Sequence, residues 1–373
     1  MCEGCRVGPS PRMDRRNFLR LGGAGIAGAV LLGTAGGSVL AQSRPSLEKE
    51  FQSAATKYGV PVEILLAMGY TNTRWAMPPT DANVYDSGAP HGQGVYGVMA
   101  LEQNPSRDTL GMASKLTGLS ETRLKNDRAA NVKGGAAVLS DLAGDTKPDD
   151  LGGWDEAVAA YGAGDLYARE VYHWLAEGAE ATLQGSERVD LAAREVAVPK
   201  ATEPKAGNGD YPRATWRGPA SDNYTNANRE AKLNINKVII HIAEGYYEGT
   251  ISWFKTESSN VSAHYVVRSR DGEVAQLVRN EDVAWHAGVW KYNQHSIGIE
   301  HEGFDENDDW YTREMYRGSA RLTAWCCKRH RIPVDRKHII GHTEIPGVTK
   351  PCPGRHWNWT KYMRLVREYR KQL

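Results

Sequence analysis

The chain must bring together groups that lie far apart along it. The apolar run Val238-Ile239-Ile240 ends in His241, Gly341-His342 comes far downstream, and Cys352 follows within Lys350-Pro351-Cys352-Pro353-Gly354. Two imidazoles and a thiolate around one open position make a catalytic zinc site, because Zn²⁺ in enzymes takes three protein ligands and keeps a fourth position for water. The ion lowers the pKa of that water from about 15.7 toward roughly 7. Neutral His241, neutral His342 and anionic Cys352 leave a net charge of about +1, enough to hold hydroxide and polarise a carbonyl. Singly, a strand-end histidine is more often structural, and a lone cysteine is more often a small buried hydrophobe. Converging from distant positions, the three demand a rigid scaffold.

The surrounding pattern supplies one. Residues 237–242 read as a buried strand, and 264–278 as a hairpin turning at Asp271-Gly272, a dipeptide that type I′ turns prefer. Residues 296–300 read as another strand. Thr312 can cap a helix whose buried stripe is Met315, Ser319, Leu322 and Cys326, and Ile339-Ile340 then delivers His342. The expectation over 211–373 is an α/β domain with a central mixed sheet flanked by helices.

Val238-Ile239-Ile240-His241, Val261-Ser262-Ala263-His264-Tyr265, Ala284-Trp285-His286-Ala287-Gly288, Ser296-Ile297-Gly298-Ile299-Glu300, Gly341-His342 and Lys350-Pro351-Cys352-Pro353-Gly354 occur in one order. Together they resemble the zinc N-acetylmuramoyl-L-alanine amidase family, which includes phage T7 lysozyme and the peptidoglycan recognition proteins. The resemblance runs from about Tyr211 to Tyr369 and implies zinc ligands at His241, His342 and Cys352. Cys352 stands where many bacterial members carry Asp and the recognition proteins carry Cys. It further implies Glu300 as general base and Lys350 as the cation that steadies the oxyanion. The phage and recognition-protein branch has a Tyr where this chain has Ala263, a departure that favours Glu300. Glu300 as a solvated strand carboxylate and Lys350 as a surface charge are the bland alternatives.

His264, Trp285 and His286 are expected to meet substrate, although cores and hairpins also use such groups. His264 is not read as a fourth ligand, because a closed shell would make the site structural. His330, His338 and His356 are read as non-ligands. The implied activity is hydrolysis of the amide between N-acetylmuramic acid and L-alanine in peptidoglycan, with Zn²⁺ as cofactor. The alternatives are a peptidoglycan-binding protein that does not cut, or a bifunctional enzyme that also cleaves glycan.

The rest of the chain is organised around that domain. Asp14-Arg15-Arg16-Asn17-Phe18-Leu19-Arg20, followed by a Gly/Ala-rich apolar run to Leu40, resembles a twin-arginine export signal over 1–41. Cleavage after Val39-Leu40-Ala41 would start the exported chain near Gln42 and leave no stable membrane span; a retained anchor is the rival reading. Residues 46–185 read as all-α, beginning at Pro45-Ser46 with an apolar stripe at Leu47, Phe51, Ala54 and Tyr58.

Within that region Tyr58-Gly59-Val60-Pro61, the Gly94–Met99 stretch, Asn131-Val132-Lys133-Gly134-Gly135 and the Ala157–Gly164 stretch resemble the lysozyme-like lytic transglycosylases. That family's catalytic glutamate falls on Asn72. An amide cannot protonate a leaving oxygen, so this lysozyme-like domain is expected to be catalytically inactive and to bind glycan. Residues 186–210, with Pro199, Pro204, Gly207 and Gly209, read as a linker.

A formal charge of +1 over 373 residues excludes a strongly basic nucleic-acid binder. The five cysteines do not form a disulfide framework. Cys2 and Cys5 precede the export signal, Cys352 is assigned to the metal, and Cys326-Cys327 fall on the expected helix.

Overall fold

The structure, a computed structural model, describes residues 45–183, 185–200, 208–218, 222–229 and 233–373. The export signal expected over 1–41 lies outside them. Pro45–Leu373 form one compact unit.

Its helical part opens with α1 (Leu47–Tyr58), where the Ser46 hydroxyl accepts from the Lys49 amide and Gly59 ends the helix in the left-handed conformation. α2 (Val62–Thr73) is apolar around most of its circumference and is buried accordingly, from Ile64 through Gly69. A Cβ on Gly69 would stand 2.9 Å from the Phe51 ring, so glycine lets α1 and α2 close. β1 (Val95–Tyr96) and β2 (Leu101–Glu102) form a short antiparallel pair. α3 (Thr109–Thr117), α4 (Glu121–Asn126), α5 (Arg128–Leu142), α6 (Asp155–Tyr161) and α7 (Asp165–Glu177) complete the bundle.

Two expectations need correction. The region read as all-α carries β1 and β2, and it ends in a hairpin of β3 (Ala179–Thr182) with β4 (Arg188–Leu191). β4 also falls inside the stretch read as linker. Val189 and Leu191 point into the helical core while Arg188 and Asp190 face out, an alternation too short to stand out from its charged neighbours.

The second part is built on a six-stranded sheet. In chain order its strands are β5 (Ala214–Trp216), β7 (Lys237–Ile240), β8 (Tyr265–Val267), β9 (Val274–Gln276), β11 (Ser296–His301) and β12 (Ile339–Gly341), with β6 (Tyr224–Thr225) and β10 (Val283–Ala284) paired apart from it. The spatial order is β12-β7-β11-β8-β9-β5. β12, β7, β11 and β8 run parallel, β8 and β9 are antiparallel, and β5 runs parallel to β9. The sheet is therefore mixed, as expected.

Helices α8 (Tyr247–Lys255), α9 (Trp290–His295), α10 (Arg313–Arg329) and α11 (Trp359–Lys371) pack around it. Thr312 caps α10 through its side chain, and Met315, Ser319, Leu322 and Cys326 are all buried. Each large apolar group there contributes about 1.5–3 kcal/mol of transfer free energy.

Candidate metal centre

The parallel register aligns the site. Ile240 on β7 faces Ile299 on β11 and Gly341 on β12. One residue further along each strand come His241, Glu300 and His342, side by side at the carboxyl ends, where open α/β sheets place their sites. Cys352 arrives on the following loop, its Sγ accepting the Ile242 amide at 3.3 Å. All four side chains are buried, His342 most open at 5%.

A proton relay sets the tautomer of His241. The Ser296 hydroxyl has one proton and donates it to the Tyr292 carbonyl at 2.6 Å. Its oxygen can then only accept from His286 Nε2, 3.2 Å away. That leaves His286 Nδ1 bare to accept from His241 Nε2 at 3.0 Å. His241 Nδ1 therefore carries a free lone pair, and it has no protein partner.

His342 is fixed more simply. Its Nε2 faces the Ala287 carbonyl at 3.2 Å and must donate, so its partnerless Nδ1 is also bare. Burial lowers the pKa of both rings, His342 to about 4. The rings stay neutral, as metal ligation requires.

Glu300 stands beside them, its carboxylate 3.8 Å from His241 Nδ1. Neither oxygen has a hydrogen-bond partner. Burial alone pushes its pKa up to about 8, and a cation held by the adjacent lone pairs would draw it down. Orphaned lone pairs on two imidazoles, a thiol and a nearby unpaired carboxylate are a donor set that fits zinc and has no other evident use.

A further candidate ligand comes from the helical part. Histidine His91 is 2% exposed, hydrogen-bonds the Ile242 backbone and leaves Nε2 without a partner. The ligand atoms of His91, His342 and Cys352 lie within 4.8 Å of one another. His241 falls outside that tightest cluster but its ring is 4.5 Å from His342. Sequence reasoning missed His91. Ala89-Pro90-His91-Gly92 carries only turn chemistry, in a region whose motifs pointed elsewhere.

The remaining predicted residues divide. Lys350 is exposed and lines a cavity of about 240 Å³ with His91, Cys352, Glu244, Asp305 and Pro79. His286 is fully buried and serves the relay. His264 is equally buried; its Nδ1 accepts the Gly298 amide at 3.0 Å, and its Nε2 faces the Asp282 carbonyl at 3.3 Å. Both imidazoles, expected to meet substrate, are engaged inside the protein in this structure. Trp285 is half-buried, with its indole N–H on Thr225 Oγ1 at 3.0 Å.

In the helical part, Asn72 is buried and donates to the Met99 carbonyl at 3.2 Å. Its neighbour Tyr167 packs on Tyr246 of the sheet part, with ring centroids 5.2 Å apart.

The pattern of the family described as N-acetylmuramoyl-L-alanine amidase matches residues 231–355, the stretch that holds His241, Glu300, His342, Lys350 and Cys352. N-acetylmuramoyl-L-alanine amidase A of Achromobacter lyticus is 34% identical over 175 residues, covering 42% of this chain and 95% of that protein. The chain belongs to the N-acetylmuramoyl-L-alanine amidase family. This amidase is also similar to the 1,6-anhydro-N-acetylmuramyl-L-alanine amidase AmpD of Citrobacter freundii, at 38% identity over 28% of this chain and 57% of that protein. The crystal structure of a selenomethionine AmpD derivative overlaps 43% of the chain and 98% of its own at 25% identity, with a TM-score of 0.34. His91 lies outside the matched stretch. No helix among the described residues is long and apolar enough to cross a membrane.

Proposed function

We propose that the amidase hydrolyses the bond between the lactyl group of N-acetylmuramic acid and the L-alanine of the peptidoglycan stem, using zinc held by His241, His342 and Cys352. The observation that carries this reading is the pair of partnerless Nδ1 lone pairs on neighbouring strands beside an unpaired carboxylate. Zinc bound there would supply Lewis acidity and a water acidic enough to ionise near neutral pH.

The chain's own groups do the rest. Glu300, buried and free of hydrogen bonds, takes the proton of the attacking water and returns it to the leaving amine. Lys350, at the rim of the cavity that reaches Cys352, extends its ammonium toward the oxygen that gains charge as the carbonyl is attacked. His286 and Ser296 hold the His241 tautomer. Export through the 1–41 segment would bring the enzyme to its polymer outside the cytoplasmic membrane.

The test of the base is E300Q. It should retain stoichiometric zinc by elemental analysis and lose about 10²–10⁴-fold in turnover of a muramyl peptide. An E300Q enzyme with wild-type turnover removes Glu300 from the role.

A further inference from the structure

Resting on the zinc reading, we propose that His91 is a fourth ligand to the same metal, so that the helical part closes the amidase site and holds the enzyme latent until it moves away. The ligand count is the first argument. His241, His342 and Cys352 leave one position open for water, and a fourth side-chain nitrogen turns a catalytic shell into a closed, structural one. His91 offers that nitrogen. Its Nε2 is buried and partnerless, and the ligand atoms of His91, His342 and Cys352 already lie within 4.8 Å of one another. Tetrahedral bonds of about 2.0–2.3 Å would need only a modest further approach.

The loop that carries His91 is shaped and fastened for this. A Cβ on Gly92 would fall 2.1 Å from the Asp86 carbonyl oxygen, and Gly94 has φ +70°, so the loop accepts no side chain at Gly92 in this conformation. It is tied to the amidase backbone. Gly88 N–H donates to the Ser259 carbonyl at 2.8 Å, Ser87 Oγ to the Ser258 carbonyl at 2.9 Å, and Asn83 to the Glu244 carbonyl.

Access is the second argument. His241 and Glu300 are fully buried, and neither lines the cavity of about 240 Å³ that reaches His91 and Cys352. That volume is below the roughly 300–1,000 Å³ of small-molecule sites, and a glycan-linked peptide is larger still. The helical part must therefore shift before substrate reaches Glu300.

Apart from the Tyr246 ring packed on Tyr167, the contact between the two parts carries polar links that can exchange for water. Arg270 pairs with both oxygens of Glu170, at 3.0 and 3.1 Å, Arg74 lies 4.4 Å over Trp310, and Tyr246 donates to Glu102 at 3.1 Å. Polar interfaces of this kind between parts of one chain favour relative motion. If the open form is 1% populated, for scale, apparent activity falls about 100-fold.

The full chain should be loaded with Co²⁺ and its visible spectrum recorded while azide is added, in parallel with H91Q and E170A. A closed shell predicts a wild-type spectrum unmoved by azide, an H91Q spectrum that shifts on addition, and an intermediate response from E170A, which leaves His91 in place. Chelator should strip the metal at least 10-fold faster from H91Q, and H91Q should turn over a soluble muramyl peptide at least 10-fold faster. Azide shifting the wild-type spectrum as readily as that of H91Q overturns the inference and leaves the zinc reading standing. Chains that bind no cobalt overturn both. If H91Q does not fold, wild type and E170A decide: a wild-type spectrum unmoved by azide beside an E170A spectrum that shifts supports closure, and a wild-type spectrum that azide shifts counts against it.

Discussion

Ser296 fixes the protonation of His241 without touching it. Its hydroxyl proton is committed to the Tyr292 carbonyl, so His286 must present a bare Nδ1 and His241 must turn its own bare Nδ1 to the metal position. S296A frees His286 to take the other tautomer. It should weaken zinc binding about 10–100-fold, measured by competition with a chromophoric chelator, with little change in melting temperature. Unchanged affinity would mean that the relay does not set the ligand. Gly298 belongs to the same device, since a Cβ there would stand 2.4 Å from the His286 ring. At this scale the convergence of His241, Glu300 and His342 at neighbouring strands, with Cys352 on the loop beyond them, was legible in the sequence, because each sits in a motif. The roles of His264 and His286 were not. An imidazole that orients a ligand and one that touches substrate carry the same letter, and only burial and hydrogen bonds separate them.

Helix α10 shows how an element supports the site from the other side of the sheet. His301, next to Glu300, points away from it and bonds the His241 carbonyl at 2.7 Å and Ser319 Oγ on α10 at 2.7 Å. Thr312 caps the helix, and T312A should cost about 1 kcal/mol in urea unfolding. Cys326 and Cys327 are fully buried, and burial pushes the Cys327 thiol up to about 12. Neither should react with iodoacetamide at pH 8 in the native protein, and both should in urea; peptide mapping reads the difference, and native labelling of either contradicts the packing.

His330 ends the same helix, and burial, with help from Arg329 and Arg229, lowers it to about 4. Between about pH 6.5 and 4 the unfolded chain binds a proton there that the folded chain refuses. Its contribution is whole above pH 6.5 and declines on acidification, by less than about 3 kcal/mol given partial solvent screening. H330Q should flatten that part of the stability–pH curve, and parallel curves for the two proteins would exclude the effect. The α10 stripe and the existence of the hairpin were readable from periodicity and the Asp271-Gly272 pair, but the turn is not type I′, because only Gly272 takes a positive φ and pairing ends at Val267 and Val274. β4 was not readable, because two buried residues among charges carry too little signal.

Across the whole molecule, the two largest hydrophobic clusters belong to the helical and the sheet parts, with Tyr246 of the sheet part packed into the helical one, and His91 brings the helical part to His342 and Cys352. That arrangement was invisible in the sequence. Each half showed its own motifs, but a contact such as His91 with His342 joins a turn-forming stretch to a strand end with no pattern linking them.

The central claim is metal-dependent cleavage of the muramyl–alanine amide, and the most direct measurement is product analysis. Wild type and H91Q should each be incubated with purified peptidoglycan, as prepared, after chelation and after zinc reloading, and the released material analysed by mass spectrometry. The account predicts free stem peptides with an N-terminal L-alanine, more from H91Q than from wild type, lost on chelation and restored by zinc. Stem peptides released undiminished by the chelated enzymes, or absent from both zinc-loaded enzymes, would contradict it.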